Sequence, residues 1–219
     1  MVDPRVYLVT GDTARRPLVD VVSAAVAGGV TLVQLREKDA TRDELATSYA
    51  RLRDALAGTG VPIVVNDDIE TAAEVAACGI HVGPDDVSPE AARRRLGENA
   101  VIGWSVHDRA QLHDTAQVRA SDYLAASPVW PTMTKPNTTE PFGLDGVAAL
   151  RRAMPASLPL VAIGGIDANN AGDVVGAGAD GVAVVSAICS AADPERAARE
   201  LRSAVDDAIE RRGTPVRGA

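Results

Sequence analysis

The sequence predicts an α/β protein closed as a single-domain (β/α)₈ TIM barrel, with eight parallel strands inside and helices outside. Three observations carry this. Short apolar runs rich in β-branched residues alternate with helical patterns along the whole chain. The runs are almost uniformly apolar rather than alternating, as strands covered on both faces are. The length of 219 residues suits one such barrel. An open doubly wound sheet would carry a glycine-rich nucleotide loop after its first strand, and Thr10-Gly11-Asp12-Thr13 matches that pattern poorly.

The expected strands are 6–10, 30–35, 62–65, 79–82, 100–104, 122–125, 160–163 and 181–185. Several helices announce their starts. Thr41 precedes Glu44 by three positions, a capping-box spacing, and Leu45, Tyr49, Leu52 and Leu56 then form one stripe. Ser88-Pro89 and Asp193-Pro194 each read as an N-cap followed by proline at the first helical position. Asp68 is placed to cap the helix that begins near Ile69. In the last helix Leu201, Val205 and Ile209 line up. Gly58, Gly60, Gly97 and Gly178 stand where helices should stop. Periodicity is lost from Arg211 onward, so the catalytic barrel is expected over 1–211 and a disordered tail over 212–219.

Composition narrows the function. Basic residues number 22 and acidic residues 30, a formal charge of −8. Such a surface argues against nucleic acid or an anionic membrane as the main partner and leaves small molecules. No run reaches membrane-spanning length, and the first residues show no leader pattern, so a cytoplasmic protein is expected. Cys78 and Cys189 are expected to be buried, reduced thiols.

In a barrel the chemistry gathers at the C-terminal ends of the strands. After the second strand, alternation sends Gln34, Arg36 and Lys38 to the mouth and Leu35 to the helices. After the third and fourth come Asn66-Asp67-Asp68 and Gly83-Pro84-Asp85-Asp86. Asp67 and Asp86 suit a Mg²⁺ ion shared with substrate phosphates. His81, inside a strand run, is expected to be a hydrogen-bonded core residue. Ser105 ends the fifth strand without a Gly-x-Ser-x-Gly elbow. After the sixth, 127–143 is a long proline-rich loop whose Thr132, Thr134 and Lys135 suit phosphate oxygens, and within it Thr132–Glu140 is expected to order as a lid when both phosphate groups are bound. Gly164-Gly165 after the seventh strand, and Ser186 after the eighth, suit phosphate held by backbone amides. Two anion sites, one cationic and metal-assisted and one backbone-based, suit a reaction between two phosphorylated molecules.

The ordered set Tyr-Leu-Val-Thr (7–10), Val-Gln-Leu-Arg-Glu-Lys (33–38), Val-Asn-Asp-Asp (65–68), Gly-Ile-His-Val-Gly (79–83), Pro-Val-Trp-Pro-Thr-Met-Thr-Lys (128–135), Ala-Ile-Gly-Gly-Ile (162–166) and Gly-Val-Ala-Val-Val-Ser-Ala-Ile (181–188) resembles the thiamine-phosphate synthase family. Pro84, Trp104 and Gly11 depart from its usual pattern. The resemblance implies condensation of a pyrimidine diphosphate with a thiazole phosphate through a pyrimidine carbocation. It implies Gln34, Arg36, Lys38, Asn66 and Lys135 on the diphosphate, and Mg²⁺ on Asp67 and Asp86. Ser105 would lie near the pyrimidine, and Thr132, Thr134, Gly165 and Ser186, next to Val185, would hold the thiazole phosphate. The readings set against it are a related barrel that tautomerises the thiazole, and a non-catalytic barrel that binds a phosphometabolite.

Overall fold

The computed structural model describes residues 2–13, 16–132 and 140–213. Eight parallel strands close in sequence order: β1 (Val6–Val9), β2 (Leu32–Leu35), β3 (Ile63–Asn66), β4 (Gly79–Val82), β5 (Val101–Val106), β6 (Tyr123–Ala126), β7 (Leu160–Ile163) and β8 (Gly181–Val184). Pairing of β1 with β8, Tyr7 opposite Ala183, closes the ring. Around it lie α1 (Leu18–Ala27), α2 (Arg42–Ala55), α3 (Ile69–Glu74), α4 (Pro89–Leu96), α5 (Thr115–Ala120), α6 (Gly143–Ala153), α7 (Ala171–Gly176), α8 (Ser186–Cys189) and α9 (Pro194–Gly213), with a 3₁₀ turn at Arg109–His113. No described helix is long and apolar enough to cross a membrane.

Strand alternation divides the core in two. Val6, Leu8, Val33, Leu35, Val65, Ile80, Val82, Ile102, Leu124, Leu160 and Val182 face the helices. Tyr7, Val9, Leu32, Val64, Tyr123, Ala125, Val161 and Ala183 fill the barrel interior. Both faces of the strands are therefore dry, which accounts for the unbroken apolar runs. Trp104 belongs to the outer layer and points away from the mouth.

The helix signals are realised as read. Thr41 and Glu44 form the reciprocal capping box, Ser88 caps α4 with Pro89 in the first turn, and Asp68 accepts from the Glu70 and Thr71 amides. Gly97 ends α4 at φ 90°.

Three expectations are corrected. Asp122 lies just before β6, not inside a strand. Its carboxylate accepts from Ile102 N and Arg93 at 2.7 Å each, satisfying a strand-edge amide and a half-buried guanidinium together. Asp180 repeats the device before β8, taking Leu160 N, Arg151 and Arg212. That contact is also why α9 continues through Gly213: Arg212 donates to Val175 O, Ala179 O and Asp180, which ties down a turn that has no apolar stripe of its own. Finally, Cys78 is exposed in the turn ahead of β4, while Cys189 is buried. Small neighbours in sequence do not bury a residue that sits on the end of the barrel opposite the mouth.

Candidate functional site

A cleft of about 440 Å³ opens at the C-terminal ends of the strands. Gln34, Arg36, Lys38, Asn66, Asp67, Asp86, Ser105, Thr132, Gly165, Val185 and Ser186 all line it. The structure thus brings together every expected site residue that it describes. Thr134 and Lys135 lie outside the described residues.

The β2 side is built by alternation. Gln34 is buried inside the barrel and Leu35 is fully buried against the helices, so Arg36 and Lys38 emerge at the mouth. Thr10, 1% exposed, fixes Arg36 by its backbone: its hydroxyl accepts from Arg36 N at 2.8 Å and donates to Arg36 O at 3.1 Å. Partial burial pushes the Arg36 guanidinium down from its ordinary value, and the Asp67 charge opposes that shift. An arginine so placed stays cationic, because its ordinary value lies far above neutrality.

The β3 and β4 ends add carboxylates. Asp67 adopts φ 60°, a left-handed conformation uncommon for a residue with a side chain. Its amide donates to His81 O at 3.0 Å, which holds the bend in register with β4. Asp68 turns away to cap α3. Asp86 takes Gly83 N on one carboxylate oxygen at 2.7 Å, leaving the other oxygen for a ligand.

Across the cleft stand the ends of β7 and β8. In the closed ring β3 is four strands from β7, and β4 is four from β8. Asp67 and Asp86 therefore face Gly164-Gly165 and Ser186 over the mouth. Gly164 and Gly165 have φ 110° and 68°. A Cβ on Gly164 would lie 2.7 Å from Pro128 Cβ, and one on Gly165 would lie 3.1 Å from Trp130 Cβ. The glycines thus admit both the turn and the root of the long loop. That root is fastened by Val129 N to Ile163 O and Trp130 N to Gly164 O, while Phe142 N and Gly143 N return to Pro128 O and Val129 O. At Gly11 a Cβ would meet Val185 Cγ1 at 2.4 Å, so this departure from the family pattern gives the β8 end its room.

The floor is polar, which sequence reasoning missed apart from the hydrogen-bonded His81. Gln34 Nε2 donates to Tyr7 Oη at 2.5 Å, Tyr7 Oη lies 2.8 Å from Tyr123 Oη, Tyr123 Oη lies 2.9 Å from His81 Nδ1, and His81 Nε2 lies 2.9 Å from Ser105 Oγ. Burial pushes the Tyr7 phenol well above its usual range, and its hydrogen bonds with Tyr123 and Gln34 oppose the shift. Burial and the neighbouring Tyr7 do the same to Tyr123. Both phenols are neutral donors. The Ser105–His81 pair looks at first like a nucleophile and its base, but the group on Nδ1 is a phenol. A phenol cannot stabilise an imidazolium as the carboxylate of a hydrolase triad does. The signal for this floor was present in the strands: a buried tyrosine hydroxyl has to find a partner.

A profile described as thiamine monophosphate synthase matches residues 6–188. The chain belongs to the thiamine monophosphate synthase family. It is 49% identical over 205 residues to a thiamine-phosphate synthase of Albidiferax ferrireducens, covering 92% of each chain. It is 44% identical to that of Chloroflexus aurantiacus, covering 94% of each. A solved thiamine phosphate pyrophosphorylase from Pyrococcus furiosus superposes with a TM-score of 0.83 at 33% identity, covering 94% of this chain and 98% of that one. The family's match thus runs from β1 to α8, and every cleft residue described above falls inside it.

Proposed function

We infer that the chain is a thiamine-phosphate synthase. It joins 4-amino-5-hydroxymethyl-2-methylpyrimidine diphosphate to 4-methyl-5-(2-phosphoethyl)thiazole and releases diphosphate, or to a carboxylated form of the thiazole and releases carbon dioxide as well. The observation that carries this, beside the family, is that two unlike sets of groups, each suited to an anion, face each other across one cleft. Cations and carboxylates end β2 to β4, while Gly164-Gly165 ends β7 and Val185-Ser186 ends β8. Two phosphorylated molecules can then meet head to head above the polar floor.

In this reading Arg36, Lys38, Gln34, Asn66 and Lys135 hold the diphosphate. Gly165, Ser186 and Thr132, with Thr134 from the loop and Val185 beside them, hold the thiazole phosphate. Ser105 touches the pyrimidine. The carbon–oxygen bond breaks with its electron pair leaving on the diphosphate. The pyrimidinylmethyl cation is then captured by the lone pair of the thiazole nitrogen. That nitrogen carries no proton, so no general base is needed. The chain's work is stabilising charge on the leaving group and aligning the acceptor. Arg36 suits the first task, because a guanidinium offers a two-pronged donor to phosphate oxygens.

Asp67 and Asp86 fit Mg²⁺. They are hard oxygen donors on adjacent strand ends, and among the described residues no group of three His, Cys, Asp or Glu forms a protein-only cage. Mg²⁺ takes one or two carboxylates and completes its shell with water and phosphate oxygens. When bound it would neutralise charge on the departing diphosphate. A thiazole tautomerase would need a residue placed for proton transfer and would have no use for Arg36 and Lys38. The test is to mix the purified protein with both substrates, with and without Mg²⁺, and to measure thiamine phosphate and diphosphate in equal amounts. No product with Mg²⁺ present would overturn the reading.

A further inference from the structure

The floor of the cleft is a chain of hydrogen bonds with a direction. Each hydroxyl has one proton to give, and a neutral imidazole has one donating and one accepting nitrogen. A row of such groups can be satisfied in only two senses, and a choice made at one end is passed to the other. Gln34 makes the choice here. Its amide nitrogen, a donor only, faces Tyr7 Oη. Tyr7 then gives its proton to Tyr123, and Tyr123 gives its own to His81 Nδ1. The ring proton of His81 is thereby placed on Nε2, which donates to Ser105 Oγ. The Ser105 proton is left for the cleft.

The packing holds this line in place. Tyr7 and Tyr123 meet edge to face at 5.7 Å, and His81 stacks on Tyr123 with ring centres 5.6 Å apart and planes 25° from parallel. Gly103 leaves the space, since a Cβ there would come within 2.2 Å of Tyr123 Oη and 2.6 Å of His81 Nδ1. Tyr7 and Tyr123 are at most 1% exposed, so water does not compete for their protons.

We propose that Tyr7, Tyr123 and His81 are positioning residues that fix His81 as its Nε2–H tautomer and so make Ser105 a hydrogen-bond donor to the bound heteroaromatic ring. Without them a serine hydroxyl is a free rotor that can give or accept. With them the floor selects an acceptor, such as a ring nitrogen, at the Ser105 position and disfavours an amino group there. This rests on the cleft being the synthase site, but its central claim is read without substrate.

The test uses the full chain with ¹⁵N-labelled histidine at neutral pH. Two-bond ¹H–¹⁵N correlation reads which ring nitrogen of His81 carries the proton, with His81→Gln assigning the signal. The expected result is Nε2–H in the wild type. Tyr7→Phe cuts the line from Gln34 and weakens that preference, because Tyr123 can then accept from Nδ1–H as readily as donate to Nδ1. Tyr123→Phe, which retains the ring and its stacking, loses the preference. Thermal melting checks that both variants fold, and if Tyr123→Phe does not, the wild-type tautomer decides. In steady-state assays Tyr123→Phe lowers kcat/KM for the pyrimidine diphosphate roughly tenfold, the worth of about one hydrogen bond. The double variant with Ser105→Ala then loses no more than Ser105→Ala alone. A wild-type ring protonated on Nδ1 or on both nitrogens overturns the proposal, and so does a double variant whose losses multiply. If the wild type forms no thiamine phosphate, it is the functional reading that fails, and the tautomer still reports on the chain.

Discussion

Replacing Arg36 by alanine tests the leaving-group half of the site. Thr10 grips the Arg36 backbone through both its amide and its carbonyl, so the guanidinium reaches the cleft from a fixed root. It is partly desolvated and it faces Asp67. Removing it takes a two-pronged donor from the diphosphate and a neighbouring cation from Asp67. Loss of one preorganised donor to a developing charge costs about 2.7–4 kcal/mol, or roughly 10²–10³ in turnover. Because the charge grows as the bond breaks, kcat and kcat/KM should fall together rather than KM alone rising. Steady-state formation of thiamine phosphate at saturating Mg²⁺ is the assay. Arg36→Lys should recover only part of the loss, since an ammonium supplies charge without the planar fork. Melting temperature should stay near that of the wild type, because the side chain lines the cleft and not the core. If Arg36→Ala keeps kcat/KM within about threefold of wild type, Arg36 does not touch the leaving group and the reasoning fails.

Asp67→Asn and Asp86→Asn should each raise the Mg²⁺ concentration for half-maximal activity by at least about tenfold; if both titrate like the wild type, the metal lies elsewhere. Gly165→Ala forces a side chain into φ 68° and against Trp130. It should raise KM for the thiazole phosphate several-fold while KM for the pyrimidine diphosphate stays put, and equal effects on both would dissociate Gly165 from the acceptor site. Gly103→Ala pushes a methyl into Tyr123, with 2.1 Å to Cζ, and should destabilise the fold by about 1–3 kcal/mol in urea unfolding. An unchanged midpoint would mean that the aromatic floor yields freely.

The barrel could be read because each strand carries its own signature. β4 and β7 fall on the residues where the apolar runs do, and the alternation at Gln34, Leu35 and Arg36 sorts mouth from outer layer without any long-range information. β5 runs two residues past Trp104, because Ser105 looks like a strand end in sequence yet pairs with Ala125 and has its hydroxyl satisfied by His81. The tyrosine floor was hidden for a related reason. Alternation says that Tyr7 and Tyr123 point inward, but nothing local says that their hydroxyls meet across 116 residues of chain. Asp122 and Arg212 were misjudged likewise, since their partners lie on other elements. The carboxylates at Asp67 and Asp86 were legible as a pair only because the barrel order makes β3 and β4 neighbours.

The misplaced cysteine has a practical side. The chain contains two thiols, and burial pushes the Cys189 thiol up while closing off access to it. Cys78 alone is exposed, and it precedes β4, so it stands at the end of the barrel away from the substrates. A thiol-selective dye or a surface tether applied to the unmodified protein should therefore attach at one address, leaving the cleft free to turn over. The protein comes with its own handle for immobilisation or single-molecule work, and no engineered cysteine has to be introduced near the chemistry.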